Sequence, residues 1–352
     1  MFRISDELKY RFIFLIYLYT KKLESTIDIF SISNQKEFEK IALKVFRFQY
    51  ENNLVYREFC DFLKTDSAKV KSIAQIPFLP IQFFKSHKVV TNNPDTSGII
   101  QTVFTSSGTT GITTSQHFVT DVSLYEESYE KGFSQFYGNI EDYVLLALLP
   151  SYLEREGSSL IYMVDDLIKK TNNTESGFYL HNHEELIEKL IRLDAEGQNV
   201  ILIGVTYALL DLIEVQKFQL QNTLIMETGG MKGRRKEMIR EELHNQLCRG
   251  FGVTAIHSEY GMTELLSQAY SLGNEVFECP SWMQILIRDT EDALTYVPDG
   301  KSGGINVIDL ANINSCSFIS TQDLGKKNPN NSFEVLGRFD NSDIRGCNLM
   351  VI

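Results

Sequence analysis

The sequence predicts an α/β protein built on a mostly parallel sheet with helices on both faces. Three observations lead there. From about residue 98, short apolar runs alternate with helical patterns, which is how βαβ units read. Hydrophobic residues make up 43% of the 352-residue chain and charged residues 23%, an ordinary globular balance. The most unusual segments fall where strands should end, and ligands of such sheets bind there.

The elements follow in order. The N-terminal run MFRISDELKYRFIFLIYLYTKK has an apolar stretch at Phe12–Tyr19. It is too short for a bilayer, is flanked by charge and lacks a small-residue cleavage site, so a buried helix is expected. Residues 1–66 read as helical, with Leu43, Val45, Phe46 and Phe48 and then Tyr50, Leu54 and Val55 on a broad apolar face. Pro77 and Pro80 mark an extended passage. Residues 1–75 are expected to pack as a helical region on a main domain of residues 76–352. Within that domain Ile99–Phe104, Tyr143–Leu149, Val200–Val205, Leu224–Met226 and Val253–Ile256 read as strands. Helices are expected through Ala208, Leu209, Leu212 and Ile213, through the charged run RRKEMIREELHNQL, and after SEYGMTE. Past residue 300, short strands and Gly-rich turns suggest a smaller β-rich portion.

Charge and cysteines bound the setting. Lys plus Arg total 34 against 46 Asp plus Glu, a net −12. That charge repels phosphate backbones and anionic membranes, so no nucleic acid and no membrane span are expected, although small anions remain bindable locally. The five cysteines, Cys60, Cys248, Cys279, Cys316 and Cys347, are odd in number and form no CxxC pair, which fits a reducing cytoplasm.

Four segments are candidates for chemistry. Thr105-Ser106-Ser107-Gly108-Thr109-Thr110-Gly111 combines small hydroxyls with glycines, a composition suited to cradling phosphate or to a plain surface turn. It lacks the Lys of a P-loop. Ser258-Glu259-Tyr260-Gly261-Met262-Thr263-Glu264 sets an aromatic for stacking beside a glycine. Thr263 is read at a helix start, either as an anion contact or as a simple cap, and Glu264 as a ligand for a hard cation or a first-turn acid. Asp323, in STQDLG, could accept from ribose hydroxyls, and GRFDNSDIRGC (337–347) reads as an exposed loop.

In this order, the segments resemble the adenylate-forming superfamily, which includes acyl-CoA ligases and phenylacetate-CoA ligase. The closer resemblance is to the acyl-protein synthetase (LuxE) family. It rests on LLPSYLEREGSSLIYM (148–163), METGGMKGRRKE (226–237), HSEYGMTELLSQAY (257–270), INVIDLANINSCSFISTQDLGK (305–326) and LGRFDNSDIRGCNLM (336–350). The resemblance implies a fold like the N-terminal domain of those enzymes. It also implies ATP-dependent activation of a carboxylic acid, a fatty acid in that family, followed by acyl transfer through a cysteine thioester to a partner such as an acyl reductase. It assigns the Thr105–Gly111 loop to ATP phosphates, Tyr260 and Gly261 to adenine, and Thr263 to phosphate. Glu264 is assigned to Mg²⁺, Asp323 to ribose, Arg338 to ribose or phosphate, and Gly229 and Gly230 to the adenine and acyl pocket. Cys347 is assigned to the acyl group, with Cys316 second.

Two departures from the superfamily stand out. The loop continues as Ile112-Thr113-Thr114-Ser115-Gln116-His117 without the usual Lys, which leaves Arg155, Lys232 or Arg234 to neutralise phosphate. The sequence stops at Ile352, just past its hinge-like segment, so the small mobile domain with its catalytic Lys is expected to be absent. Rival readings are an acyltransferase fed by acyl-CoA or acyl carrier protein, and a silent nucleotide-binding subunit. His257 reads as structural or as a pocket group, and a zinc site from Cys248, His257, Cys279 and Cys316 is the remaining alternative, at spacings unlike a zinc finger.

Overall fold

The computed structural model describes residues 27–92, 98–106, 114–149, 157–180, 182–229 and 238–339. Helix α1, Gln35–Asn52, starts where the Asn34 side chain accepts from the Glu37 N–H. It buries Phe38, Ala42, Val45, Phe46 and Gln49, a stripe at helical spacing. Helix α2, Leu54–Phe62, starts at Asn53 in the same way. Both are pinned to the body by buried amides. Gln49 Nε2 donates to the carbonyl oxygens of Asn312 and Ile313, and Asn53 Nδ2 to that of Ser315. The proline passage becomes a two-residue strand β1, Leu79–Pro80, parallel to a strand near the far end of the chain, and then a single helical turn α3, Phe83–Ser86.

Strands β2, Thr102–Thr105, and β3, Gln116–Val119, form a separate antiparallel pair. The chain then alternates through α4 Val122–Tyr137, β4 Val144–Leu148, α5 Ser159–Lys170, β5 Gly177–Tyr179, α6 His183–Ala195, β6 Val200–Gly204, α7 Thr206–Val215, β7 Thr223–Glu227, α8 Arg240–Phe251 and β8 His257–Tyr260. Strands β5-β4-β6-β7-β8 lie side by side and parallel. Every residue of β4 and β6 is buried, because helices cover both faces, and such strands read as unbroken apolar runs.

Beyond β8 the same sheet turns antiparallel. β9 Ala269–Ser271, β10 Val276–Glu278, β14 Phe333–Arg338, β13 Phe318–Lys327, β12 Ser302–Asp309 and β11 Met283–Arg288 extend it in that order. This is the expected β-rich portion, but it begins near residue 269, not 300, and it shares one sheet with the parallel part.

Two local expectations are corrected. No helix follows SEYGMTE. Ser258, Glu259 and Tyr260 belong to β8, and the chain then runs as turn and loop to β9. The backbone amides a helix would use are taken elsewhere: Leu266 and Ser267 N–H donate to Asp309 Oδ2 at 2.8 and 2.9 Å, and Leu266 N–H also reaches Asn312 Oδ1. Val253–Ile256 is likewise no strand. It is the exit from α8, whose cap Gly252 holds a left-handed φ of 72°.

Candidate functional site

Parallel strands end on one edge, and three of the predicted segments meet there. β6 ends at Gly204, β7 at Glu227 and β8 at Tyr260, with Gly204 opposite Glu227 and Glu227 opposite Ser258. The hydroxyl-rich loop joins β2 to β3. Of its residues only Thr105 and Ser106 are described; Ser107, Gly108, Thr109, Thr110 and Gly111 lie outside the described residues. Its base is clasped twice: Ser106 N–H donates to the Ser115 carbonyl at 3.1 Å, and Ser115 N–H donates to Ser106 Oγ at 2.9 Å. Thr105 N–H donates to the Gly157 carbonyl at 2.7 Å.

A polar path leads from this base. The Ser115 side chain bonds the carboxyl of Glu264, which is only 5% exposed. Burial pushes the Glu264 pKa up, and the positive charges of Arg338 and Lys85 partly offset it. Among the described residues, no cationic side chain lies within ion-pair distance of Glu264. Arg338 Nε donates to Asp323 Oδ1 at 2.9 Å, and the Tyr260 hydroxyl donates to Asp323 Oδ2 at 2.9 Å. The Tyr260 ring is buried edge-on against Phe277 and Phe333. Thus Ser106, Ser115 and Glu264 form one hydrogen-bonded set and Arg338, Asp323 and Tyr260 a second, and the Arg338 charge acts on Glu264 through space.

The turn between Tyr260 and Glu264 is held from below. The Thr263 carbonyl lies 3.0 Å from His117 Nδ1, and His117 Nε2 lies 2.8 Å from Ser315 Oγ. Burial lowers the His117 pKa to about 4, so the ring is neutral and serves as a strut. The Glu264 carbonyl accepts from Asn312 Nδ2 at 2.7 Å. Thr263 is therefore placed by backbone clamps, not by a helix N-terminus.

The Gly229 turn has another architecture. Glu227 is 2% exposed and accepts from Thr206 Oγ1 at 3.0 Å, Gly229 N–H at 2.8 Å, Arg240 Nη1 at 2.9 Å and Ser258 Oγ at 3.0 Å. Burial works to raise its pKa, but His244, Arg240 and the Gly229 amide outweigh it and hold the carboxyl at about 2. Gly229 needs its freedom, having φ 73°. Gly230, Lys232 and Arg234 lie outside the described residues, as do Arg155 and Cys347. Lys85 on α3 acts on Glu264 through space, as Arg338 does.

Several residues here were not singled out from sequence. Glu259 was quoted only as part of a string, yet burial and the neighbouring Glu227 raise its pKa to about 8. His117 and Asp309 gave no signal, since their partners lie 146 and 42 or 43 residues away. Cys316 is fully buried, and burial pushes its thiol far above the ordinary range, which keeps it protonated. His257 opens β8, with its ring 3.3 Å from the Tyr137 hydroxyl. Cys248, His257, Cys279 and Cys316 are not brought together, and among the described residues no three His, Cys, Asp or Glu gather to hold a metal. Among the described residues no helix is long and apolar enough to cross a membrane.

Comparison with solved structures places the fold. Similar structures include MatB from Rhodopseudomonas palustris with ATP bound, at 18% identity, 67% of this chain, 47% of that one and a TM-score of 0.50. They include a 2-hydroxyisobutyryl-CoA ligase in the postadenylation state with 2-HIB-AMP, at 12% identity, 88% and 69% coverage and a TM-score of 0.62. An open conformation of that ligase with 2-HIB-AMP and CoA gives 13%, 88%, 72% and 0.60. The chain spans about half the length of MatB. At these identities the likeness shows the fold, that of adenylate-forming enzymes. No curated protein matches by sequence. The family model described as acyl-protein synthetase, LuxE, matches residues 23–128 and 165–352, most of the chain, and the chain therefore belongs to the acyl-protein synthetase (LuxE) family.

Proposed function

We propose that this protein uses ATP to activate a carboxylic acid as its acyl-adenylate and passes the acyl group to its own Cys347 and then to a partner protein. The carrying observation is the pair of polar sets, Ser106–Ser115–Glu264 and Arg338–Asp323–Tyr260, coupled through space by the Arg338 charge on Glu264. Adenylation joins a carboxylate oxygen to the α-phosphorus and breaks the bond to pyrophosphate. Two anions must meet, so the site must place positive charge and donors around the phosphates.

In this reading the hydroxyls and amides of Thr105–Gly111 bind phosphate. Asp323 keeps unfilled lone pairs beside its two donors and accepts from ribose hydroxyls. Tyr260 works through Asp323, because its hydroxyl is already bound there; Gly261, Gly229 and Gly230 leave room beside the base. Arg338 and Lys85 supply part of the charge that the missing loop Lys would bring. Glu264 suits Mg²⁺: it is a buried carboxyl with no ion-pair partner among the described residues, and a divalent cation would answer that charge. A bound magnesium ion would neutralise phosphate charge. The Cys347 thiolate then attacks the acyl carbonyl, AMP leaves, and the thioester is passed on. A fatty acid substrate, an acyl reductase as acceptor and a cytoplasmic setting complete the proposal.

The test is intact mass and pyrophosphate release after incubation with ATP, Mg²⁺ and labelled acids. Release together with a hydroxylamine-sensitive label that vanishes in Cys347→Ser, while acyl-adenylate still forms, supports the reading. Labelling from acyl-CoA without ATP would replace it with simple acyl transfer. Neither release nor label with any acid would overturn it.

A further inference from the structure

Between the pairs Gly304–Leu324 and Asn306–Ser320, strands β12 and β13 fall out of register. One residue of β12, Ile305, stands opposite three of β13, Thr321, Gln322 and Asp323. The ladder to β12 is therefore interrupted where Asp323 stands. Backbone groups released in this way need other partners when buried. Arg288, the last residue of β11, supplies them. Its Nη1 donates to the Ile305 carbonyl at 2.7 Å and to Asn306 Oδ1 at 2.8 Å, and its Nη2 to the Thr321 carbonyl at 2.6 Å. The guanidinium crosses Gly304, where a Cβ would lie 2.4 Å from Arg288 Cζ. Its Cζ sits 5.5 Å from the centre of the Phe339 ring.

Arg288 is 8% exposed, and among the described residues no carboxylate lies within ion-pair distance of it. A buried cation is costly unless it is answered. The charge of Asp323 acts on it through space and partly offsets the lowering of its pKa by burial. A relay of hydrogen bonds leads to that acid. The Thr321 hydroxyl donates to the Ile305 carbonyl that Arg288 also holds, at 2.9 Å, and Thr321 Oγ1 accepts from the Asp323 N–H at 3.1 Å. Phe339, whose ring lies against the guanidinium, donates its N–H to the Gln322 carbonyl at 2.8 Å. In the adenylation reading above, on which this inference rests, Asp323 accepts from the ribose hydroxyls of ATP. We infer that Arg288 is a positioning residue for that contact. It fixes the interrupted stretch of β13 and, through Thr321, the place of the Asp323 carboxylate. A carboxylate allowed to drift from its productive position loses the contact it is there to make.

The experiment is equilibrium dialysis of ATP and of 2′,3′-dideoxy-ATP, each with Mg²⁺, against the full chain. Wild type should bind ATP at least about tenfold more tightly, because the dideoxy nucleotide offers Asp323 no hydroxyl. Arg288→Met should weaken ATP by at least about tenfold and change the dideoxy nucleotide by no more than about threefold, so that the two bind alike. Arg288→Lys keeps the charge and a donor and should recover part of the preference. Placed in Asp323→Ala, the Arg288→Met change should weaken ATP by no more than about a further threefold, since both act on one contact. A merely structural arginine would lower stability in each variant and leave the preference for ribose hydroxyls as it was. If wild type prefers ATP and folded Arg288→Met keeps that preference, the inference is overturned and the adenylation reading stands. Loss of the fold in both Arg288 variants assigns the residue to stability and overturns the inference as well. A wild type that binds the two nucleotides alike, or neither, overturns the ribose role of Asp323 in that reading, and the inference with it.

Discussion

Glu227 and Glu259 stand on neighbouring parallel strands, and both are carboxyls at the same edge of the sheet. Their surroundings are opposite. Glu227 has four donors, one of them an arginine, and its carboxyl is held at about 2. Glu259 has no such partner and rises to about 8. The first is finished by the protein itself, and its work is to fix the Gly229 turn and to tie β7 to α7 and α8. The second is left open beside Gly261. A carboxyl ringed by donors stays ionised, and one without them is pushed toward its neutral form.

The largest expected effect follows on the satisfied side. Glu227→Ala strands Arg240, two hydroxyls and an amide in a buried setting. Breaking such a cluster costs about 3–5 kcal/mol. Chemical denaturation should show it as a lower midpoint. Glu259→Gln should cost less than about 1 kcal/mol or stabilise, since a neutral amide removes a carboxyl that burial disfavours. Equal losses in the two variants would break the comparison.

Asp323 lies between these extremes: two donors hold it, and it keeps accepting capacity toward the site. Asp323→Ala should lower ATP–pyrophosphate exchange at least about tenfold, as expected for a lost contact of roughly 1.5–3 kcal/mol. Glu264→Gln should fall by a similar factor and lose its response to added Mg²⁺. If Asp323→Ala unfolds the protein as Glu227→Ala does, while the folded fraction exchanges normally, Asp323 belongs with the structural carboxylates.

How much of this was legible depends on how local each feature is. β4 and β6 could be read directly, because burial on both faces writes VLLAL and VILIG as continuous apolar runs. The site segments were legible as strings for the same reason: each is contiguous. What could not be read is who clamps whom. His117 supports Thr263 across 146 residues, and Asp309 takes the amides of Leu266 and Ser267 from 43 and 42 residues away. Those distant acceptors are why a helix expected after SEYGMTE does not form. The partner status of a buried carboxyl is equally non-local: Glu227 and Glu259 look alike in sequence, and only the arrival of Thr206, Arg240 and Ser258 tells them apart.

The smallest effect sharpens the same contrast through pH. Glu227 has a folded pKa below its unfolded value of 4.5, so its stabilisation is full above that value and fades as pH falls toward 2. Glu259 has the opposite sign. Its folded pKa is raised from 4.5 to about 8, so the native state holds a proton that the unfolded chain has lost. Stability therefore falls as pH rises between those values, by at most about 1.4 kcal/mol per pH unit. Other groups titrate lower. Asp309 is raised from 3.8 to about 6, and burial lowers His117 and His257 from 6.5 to about 4. The unfolded histidines still take up protons to about pH 7.5, so among these groups it is between about pH 7.5 and 8.5 that the slope should belong mainly to Glu259. Denaturation midpoints measured across that window should decline in the wild type and stay nearly flat in Glu259→Gln. If the two curves run parallel, the carboxyl is already ionised at neutral pH, and the contrast with Glu227 loses its electrostatic half.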